Sequence, residues 1–167
     1  MDITQVLKRC EVFVGMNDSD LKKLAGLSSW RKIVFNKGEF IFHENAPARD
    51  FYILEDGEIR LVVAHHKEGS PEPIQISVDI ITKGDVFGWS SLVAPHYLTM
   101  SAICLRQSSV LMIDGSELNG LMDINHSLGY EVMKGLVRII GLRLRDLRGR
   151  FVSQEELLLS KYEIHPE

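Results

Sequence analysis

The chain predicts a mainly β fold with flanking helices: a double-stranded β-helix, or jelly-roll-like β-roll, between N-terminal helices and a long C-terminal helix. Three observations predict it. The apolar pattern changes from helical spacing to strand alternation at Trp30, and these two periods separate helix from sheet. About eight short strands follow, punctuated by turns, which favours a double-sheet roll over a parallel α/β sheet. From Ser127 apolar residues recur at three- and four-residue steps, the pattern of a long helix with an apolar face.

At 167 residues, 45% of them hydrophobic and 25% charged, the chain has the composition of one soluble domain with a full core. No apolar run approaches the roughly 20 residues that span a bilayer, and the opening MDITQVLKRC is no signal peptide. The expectation is a cytoplasmic protein without membrane contact. A net charge of -4 argues against a surface built to grip nucleic acid. Cys10 and Cys104 lie far apart, at no metal or redox spacing, and read as two reduced thiols.

Met1 to Ser29 reads as helical: Ile3, Val6 and Leu7 share a face, and Asn17 to Asp20 offers caps before Leu21, Leu24 and Leu27. Trp30–Phe35 suits a pleated surface and ends at Asn36-Lys37-Gly38. Glu39–His43 follows, with Phe40 and Phe42 on one face, then a turn at Glu44–Pro47. Asp50–Leu54 runs into Asp56-Gly57, a hairpin signal, and Ile59–Ala64 returns. His65 to Pro73 is a polar loop; its adjacent histidines point to opposite faces and have no cysteine or carboxylate at ligand spacing, so no metal site is expected. Ile74–Ile81 places Ile74, Ile76, Val78 and Ile80 on one face by simple alternation. Ser101–Leu105 and Ser109–Ile113 close the roll, and Ser116 caps a short helix through Leu121. The final helix carries Leu128, Val132, Leu136, Ile140, Leu144, Leu147 and Phe151, widened by Val137 and Ile139. Its length and near-heptad spacing predict a homodimer. Its arginines 138, 143, 145, 148 and 150 are expected to be solvated or paired with Glu131 or Asp146.

The stretch GDVFGWSSLVAPHYLTMSA, residues 84–102, joins these strands. A glycine followed at once by a helix start, Gly88 before Trp89 to Leu92, leaves backbone N–H groups pointing outward as an anion cradle. Pro95 bounds the short helix.

This stretch resembles the phosphate-binding cassette of cyclic-nucleotide-binding domains, the β-roll sensors of the Crp/Fnr type. KGEFIFHENAPARDFYILEDGEIRLV resembles the same family's first half, including turn glycines at Gly38 and Gly57, with Ala46 where the family usually has glycine. The resemblance implies a single domain over 1–167: N-terminal helices in 1–29, a roll with its cassette in 30–115, and C-terminal helices in 116–160. It also implies ligand contacts at Phe87, Gly88, Trp89, Ser90, Ser91, Leu98, Thr99 and Arg143. Two of these depart from the family. Trp89 stands where a glutamate holds the ribose hydroxyl, and Leu98 where an arginine pairs with the cyclic phosphate. Losing one partner of a buried charge pair costs about 2–5 kcal/mol, which moves a micromolar affinity to near millimolar. Weak or absent binding of cAMP and cGMP is the expectation. Arg143 falls where the family's C-helix reaches the nucleotide base, and there its guanidinium would meet an anionic ligand that lacks its arginine at Leu98. The competing reading leaves it exposed or at a dimer rim.

No catalytic constellation or P-loop occurs, so no enzyme and no catalytic residue is expected. About fifteen residues follow Phe151, too few for the helix-turn-helix domain of the family's transcription factors. Two functions remain open. One is a sensor module that binds a small effector, a nucleotide or another small anion, and signals to a protein partner through its C-helix dimer. The other is a non-binding roll that serves as a dimerisation or interaction scaffold. An open polar cavity under Trp89 favours the first, and a cavity plugged by Trp89, Leu98 and Met100 the second.

Overall fold

The computed structural model describes residues 2–66, 69 and 73–162, the side chains of 155–162 excepted. The chain begins with two short helices, as expected. Helix α1 (Ile3–Arg9) starts at Asp2, whose carboxylate accepts from the Gln5 amide at 3.3 Å. Helix α2 (Asp18–Ala25) starts at Asn17, whose Oδ1 accepts from the Asp20 amide at 2.9 Å. A side chain that satisfies a first-turn amide sets each start. Residues 11–15 turn the chain between the helices.

Eight strands follow: β1 (Arg31–Phe35), β2 (Phe40–Phe42), β3 (Asp50–Asp56), β4 (Ile59–His65), β5 (Ile74–Ile81), β6 (Val86–Phe87), β7 (Ser101–Cys104) and β8 (Ser108–Asp114). They form two antiparallel four-stranded sheets, ordered β1-β8-β3-β6 and β2-β7-β4-β5. The central strands of the first sheet, β3 and β8, are buried on both faces, which explains their continuous apolar runs, whereas the edge strand β1 is largely exposed. From β3 and β8, Phe51, Ile53, Leu111 and Ile113 face the helices, while Tyr52, Leu54, Val110 and Met112 face the second sheet.

The second sheet corrects one expectation. Its β4–β5 register shifts between Leu61 and Val62, which pair with Asp79 and Ser77 and leave Val78 as the extra residue of a bulge. Directly paired residues share a face. Ile76, opposite Val63, therefore lies on the Leu61 side, whereas Ile80, opposite Arg60, lies on the other. Ile80 thus leaves the face shared by Ile74, Ile76 and Val78.

Helix α3 (Gly115–Ile124) is capped by Asp114 rather than Ser116 and runs beyond Leu121. Asp114 is still extended at the end of β8, so its Oδ1 reaches the Ser116 and Glu117 amides at 2.8 and 3.2 Å. Glu117 ties this helix to the N-terminal region. Its carboxylate accepts from the Ser28 amide and hydroxyl at 2.8 and 2.7 Å, from the Ser29 amide at 2.9 Å, and from the Ser29 hydroxyl. These donors, led by the Ser29 and Ser28 hydroxyls, hold its pKa down at about 2.

Helix α4 (His126–Tyr162) divides the single apolar stripe read from the sequence into two. Leu128, Val132, Leu136 and Ile139 are buried, whereas Val137, Ile140, Leu144, Leu147 and Phe151 are exposed. Steps of four residues rotate about 40° each around a helix, so Ile140 stands about 120° from Leu128. Gly135 sets how closely the helix approaches the chain's start: a Cβ there would lie 2.1 Å from the Val12 carbonyl oxygen.

Among the described residues no three His, Cys, Asp or Glu side chains group as a metal site, and no helix is long and apolar enough to cross a membrane. Of the loop expected between β4 and β5, residues 67, 68 and 70–72 lie outside the described residues. Cys10 and Cys104 are both free thiols and buried, and burial pushes the Cys10 pKa up to about 12.

Candidate functional site

Residues 84–102 leave β6 at Phe87 and turn sharply at Gly88, whose φ of 71° lies in the left-handed region. A side chain there is doubly excluded, because a Cβ would also meet the Tyr52 ring at 2.5 Å. Trp89–Ser91 then forms one turn of 3-10 helix. The expected anion cradle is reduced by this geometry. The Ser91 amide and hydroxyl both turn back onto the Gly88 carbonyl, at 3.1 and 2.9 Å, and a single turn aligns few peptide dipoles.

The structure separates the eight residues singled out in the sequence. Phe87 is fully buried and stacks on Tyr52 at 5.0 Å, so it is core; burial also pushes the Tyr52 pKa up to about 12. Ser91 is buried, Ser90 half-buried and Thr99 exposed. Leu98 is only 5% exposed. Its backbone bonds to the Asn45–Ala46 turn, donating to the Ala46 carbonyl at 2.9 Å and accepting from the Asn45 amide at 2.7 Å. In that turn Asn45, at φ 65°, takes the left-handed conformation, which asparagine tolerates, so alanine at position 46 carries no strain.

Between the cassette turn and the second sheet, Phe42, Phe87, Trp89, Leu98 and Met100 close around a cavity of about 30 Å³. That is the share of liquid volume of one water molecule. A larger cavity, about 180 Å³, lies next to it on the α4 side of Trp89. Leu61, Val78, Met100, Ile140, Leu144 and Leu147 supply its apolar wall, and Asp79, Arg143 and Arg150 its charged members. The β5 bulge matters here, because it turns two successive residues, Val78 and Asp79, toward the same space.

Arg143 is the centre of the polar cluster. One terminal nitrogen, Nη2, donates to the Val86 carbonyl at 2.8 Å and to Glu11 Oε1 at 3.1 Å. Its Nε lies 3.6 Å from Asp79 Oδ2, and its guanidinium carbon 4.9 Å from the centre of the Trp89 ring. Arg150 approaches the other Asp79 oxygen at 3.9 Å. Arg143 is therefore half-buried rather than exposed, with its charge beside Glu11 of the N-terminal turn and Asp79 of β5. Glu11 also accepts from the Val86 amide at 3.2 Å. Burial raises the Glu11 pKa despite the nearby arginine, so its charged form depends on these partners. Arg143 Nη1 is different: it is buried and has no hydrogen-bond partner among the described residues.

Of the remaining arginines, Arg145 and Arg148 are exposed, as expected for solvated charges, but the pairing with Glu131 is not made. Glu131 pairs with Lys134 at 2.6 Å, and Arg138 donates to the Glu11 backbone carbonyl. Sequence reasoning did not place Glu11, Val78 or Asp79 at the site, though it read Val78 on a strand face. The two acids did leave a signal, each being a lone charge inside an apolar run, CEVFV and ISVDII.

A family model described as the cyclic nucleotide-binding domain matches residues 32–125. Among solved structures, a putative cyclic nucleotide-binding protein from Geobacter metallireducens GS-15 is 26% identical, with a TM-score of 0.71 over 86% of this chain and 99% of that one. A cyclic nucleotide-binding domain from Methylobacillus flagellatus KT is 14% identical, with a TM-score of 0.75 over 92% of this chain and 82% of that one. The regulatory subunit of a cAMP-independent protein kinase A from Trypanosoma brucei, solved as a mutant bound to cAMP, is 18% identical. Its TM-score is 0.64 over 81% of this chain and 44% of that one.

Proposed function

We propose that this chain, which belongs to the cyclic nucleotide-binding domain family, is a non-enzymatic regulatory module whose cassette no longer takes a cyclic phosphate. In this reading residues 1–167 act as a single domain in the cytoplasm and pass their state to a protein partner through the C-terminal helix.

One observation carries the reading. The cassette is filled by the chain's own Trp89, Leu98 and Met100, and the space left beside them is about 30 Å³. Leu98 brings no charge to meet a phosphate, and Trp89, a donor only, accepts nothing from a ribose hydroxyl. The fold also occurs in a protein described as the regulatory subunit of a cAMP-independent kinase.

Dimerisation rests on the exposed face of α4. Tyr130, Met133, Val137, Ile140, Leu144, Leu147 and Phe151 alternate at three- and four-residue steps over three heptads. These are the a and d positions of a coiled coil; Met133 also packs against the core, and Ile140, Leu144 and Leu147 also line the cavity against the second sheet. Six of the seven, Tyr130, Val137, Ile140, Leu144, Leu147 and Phe151, are 40–69% exposed. The basic flanks of this seam, Arg143 and Arg150, turn toward Glu11 and Asp79. A second copy of the chain is the partner this pattern fits.

Thermal unfolding in the presence of cAMP and cGMP tests the reading. A ligand at 100 times its Kd stabilises by about 2.7 kcal/mol, a shift of roughly 5–10 °C for a chain of this size. The expected outcome is no shift for the natural chain at about millimolar nucleotide. A gain is expected for a variant carrying Trp89→Glu and Leu98→Arg. A shift of full size in the natural chain would overturn the proposal. A second reading, a scaffold with no ligand at all, is favoured by the Arg143 cluster, in which the chain's own Glu11, Val86 and Asp79 hold α4 in place.

A further inference from the structure

A cleft of about 360 Å³ lies where α1 meets the first sheet, a volume in the range of small-molecule sites. Asp2, Gln5 and Arg9 come to it from α1 and its cap, Lys32 from β1, Glu55 from β3 and Lys83 from the turn before β6. Three cations thus line one cleft in a chain whose net charge is -4. The carboxylates present are already engaged. Glu55 pairs with Lys32 and accepts from the Ser109 hydroxyl at 2.9 Å, and Asp2 accepts from the Gln5 amide as the cap of α1. The bond from Lys32 holds the Glu55 carboxyl below its usual range, and the charge of Lys83 adds to this, so one carboxylate serves two lysines. Among the described residues neither Arg9 nor Lys83 makes an ion pair, although Lys8 beside Arg9 pairs with Asp18.

The backbone fixes this arrangement. In the turn that bears Lys83, the Thr82 amide and hydroxyl donate to Asp85 at 2.7 and 2.9 Å. The Gly84 amide donates to the Leu54 carbonyl at 2.8 Å. Gly84, at φ 93°, also lets the end of α1 rest on the turn, since a Cβ there would lie 3.0 Å from the Arg9 carbonyl oxygen. Folding therefore gathers like charges at one cleft, where they repel unless an anion comes between them.

We propose that this cleft binds a small phosphate monoester, with Arg9 and Lys83 on its phosphate and Lys32 beside them. Two unpaired cations match a dianion, and a phosphate monoester is close to one at neutral pH. A guanidinium presents a planar fork to phosphate oxygens, and an ammonium adds charge without a fixed direction. The Gln5 amide, at the same cleft, can bond a hydroxyl on the rest of the molecule. The site is separate from the filled cassette and does not depend on the reading above.

The test titrates glycerol 3-phosphate into full-length chain labelled with nitrogen-15 and follows backbone amide signals. Those of Gly84 and Glu55 are expected to move, with a midpoint at or below about a millimolar, while those of Ser90 and Ser91 stay in place. Lys83→Gln and Arg9→Gln should each weaken binding about tenfold. Lys83 is exposed on its turn, so its variant decides the matter even where loss of Arg9 frays α1. Lys37→Gln removes the same charge from an exposed position outside the cleft and should change nothing. The proposal fails if Gly84 and Glu55 do not move, if Lys37→Gln weakens binding as much as Lys83→Gln, or if succinate, a dianion without phosphate, binds as well. Pelleting with phosphatidic acid vesicles, without any response to glycerol 3-phosphate, would assign these cations to a lipid surface and overturn it too. A cAMP-induced shift of Ser90 and Ser91 would overturn the filled-cassette reading alone, and the glycerol 3-phosphate arms would still decide this one.

Discussion

The two halves of α4 are one continuous helix but face different surroundings. Up to Ile139 one stripe of it, Leu128, Val132, Leu136 and Ile139, is buried, and Gly135 lets the helix sit directly on the Val12 carbonyl. Beyond Ile139 the apolar side chains are exposed, and contact with the roll passes through Arg143 and Arg150 to Glu11 and Asp79. Close packing anchors the first half, because removing a methylene there leaves a void. Polar contacts hold the second half, and they can exchange partners at modest cost. A helix fixed at one end and held by ion pairs at the other suits a module that reports through its far end.

The largest effect that would sharpen this contrast is expected from Leu136→Ala in the buried half. Burial of this kind is worth about 2–5 kcal/mol per truncated leucine, so the unfolding midpoint should fall by roughly 5–15 °C with the oligomeric state unchanged at low temperature. A loss below about 1 kcal/mol would mean that the first half is not core. Next in size is the seam. Val137→Glu with Phe151→Glu removes two exposed apolar residues that do not line the α4 cavity. Each apolar side chain buried in a dimer contributes about 1.5–3 kcal/mol, so sedimentation should show association weakened on the order of 100-fold or more. The midpoint of the separated chain should barely change. A dimer of unchanged affinity would place the interface elsewhere.

The smallest effect is expected at Glu117, which pins α3, and through it the first half of α4, to Ser28 and Ser29. Its pKa is lowered from 4.5 to about 2 in the folded chain. A carboxylate with a depressed folded pKa stabilises the fold above its unfolded pKa, and that contribution fades as pH falls through the folded one. Glu117→Gln should therefore lower the midpoint at neutral pH, and the gap to the natural chain should close between pH 4.5 and about 2. A gap independent of pH would show that the carboxylate's charge plays no part.

Much of the roll was legible because its signals are local. The turns at Asn36-Lys37-Gly38 and Asp56-Gly57 and the alternation between them place the strands within two residues of where they lie. Asn17 was readable as a cap for the same reason, since its bond to Asp20 spans three residues. Where the expectation failed, a partner distant in sequence had intervened. Asp114 capped α3 because β8 delivered it there extended, and Ile80 changed face because the β4 register skipped Val78.

The cassette divides in the same way. That Leu98 and Trp89 replace a phosphate partner and a ribose partner was written in the chain, because it depends only on which residue follows which. The sequence by itself thus determined the family, the order of elements and the loss of the usual charge partners. Tertiary structure alone decided what took their place: a tryptophan beneath Arg143, two acids from residues 68 positions apart that neutralise it, and an apolar cavity against α4. The reason is physical. Strand and turn signals act between near neighbours, whereas charge pairing and cavity shape depend on which distant surfaces the folded chain brings within a few ångströms.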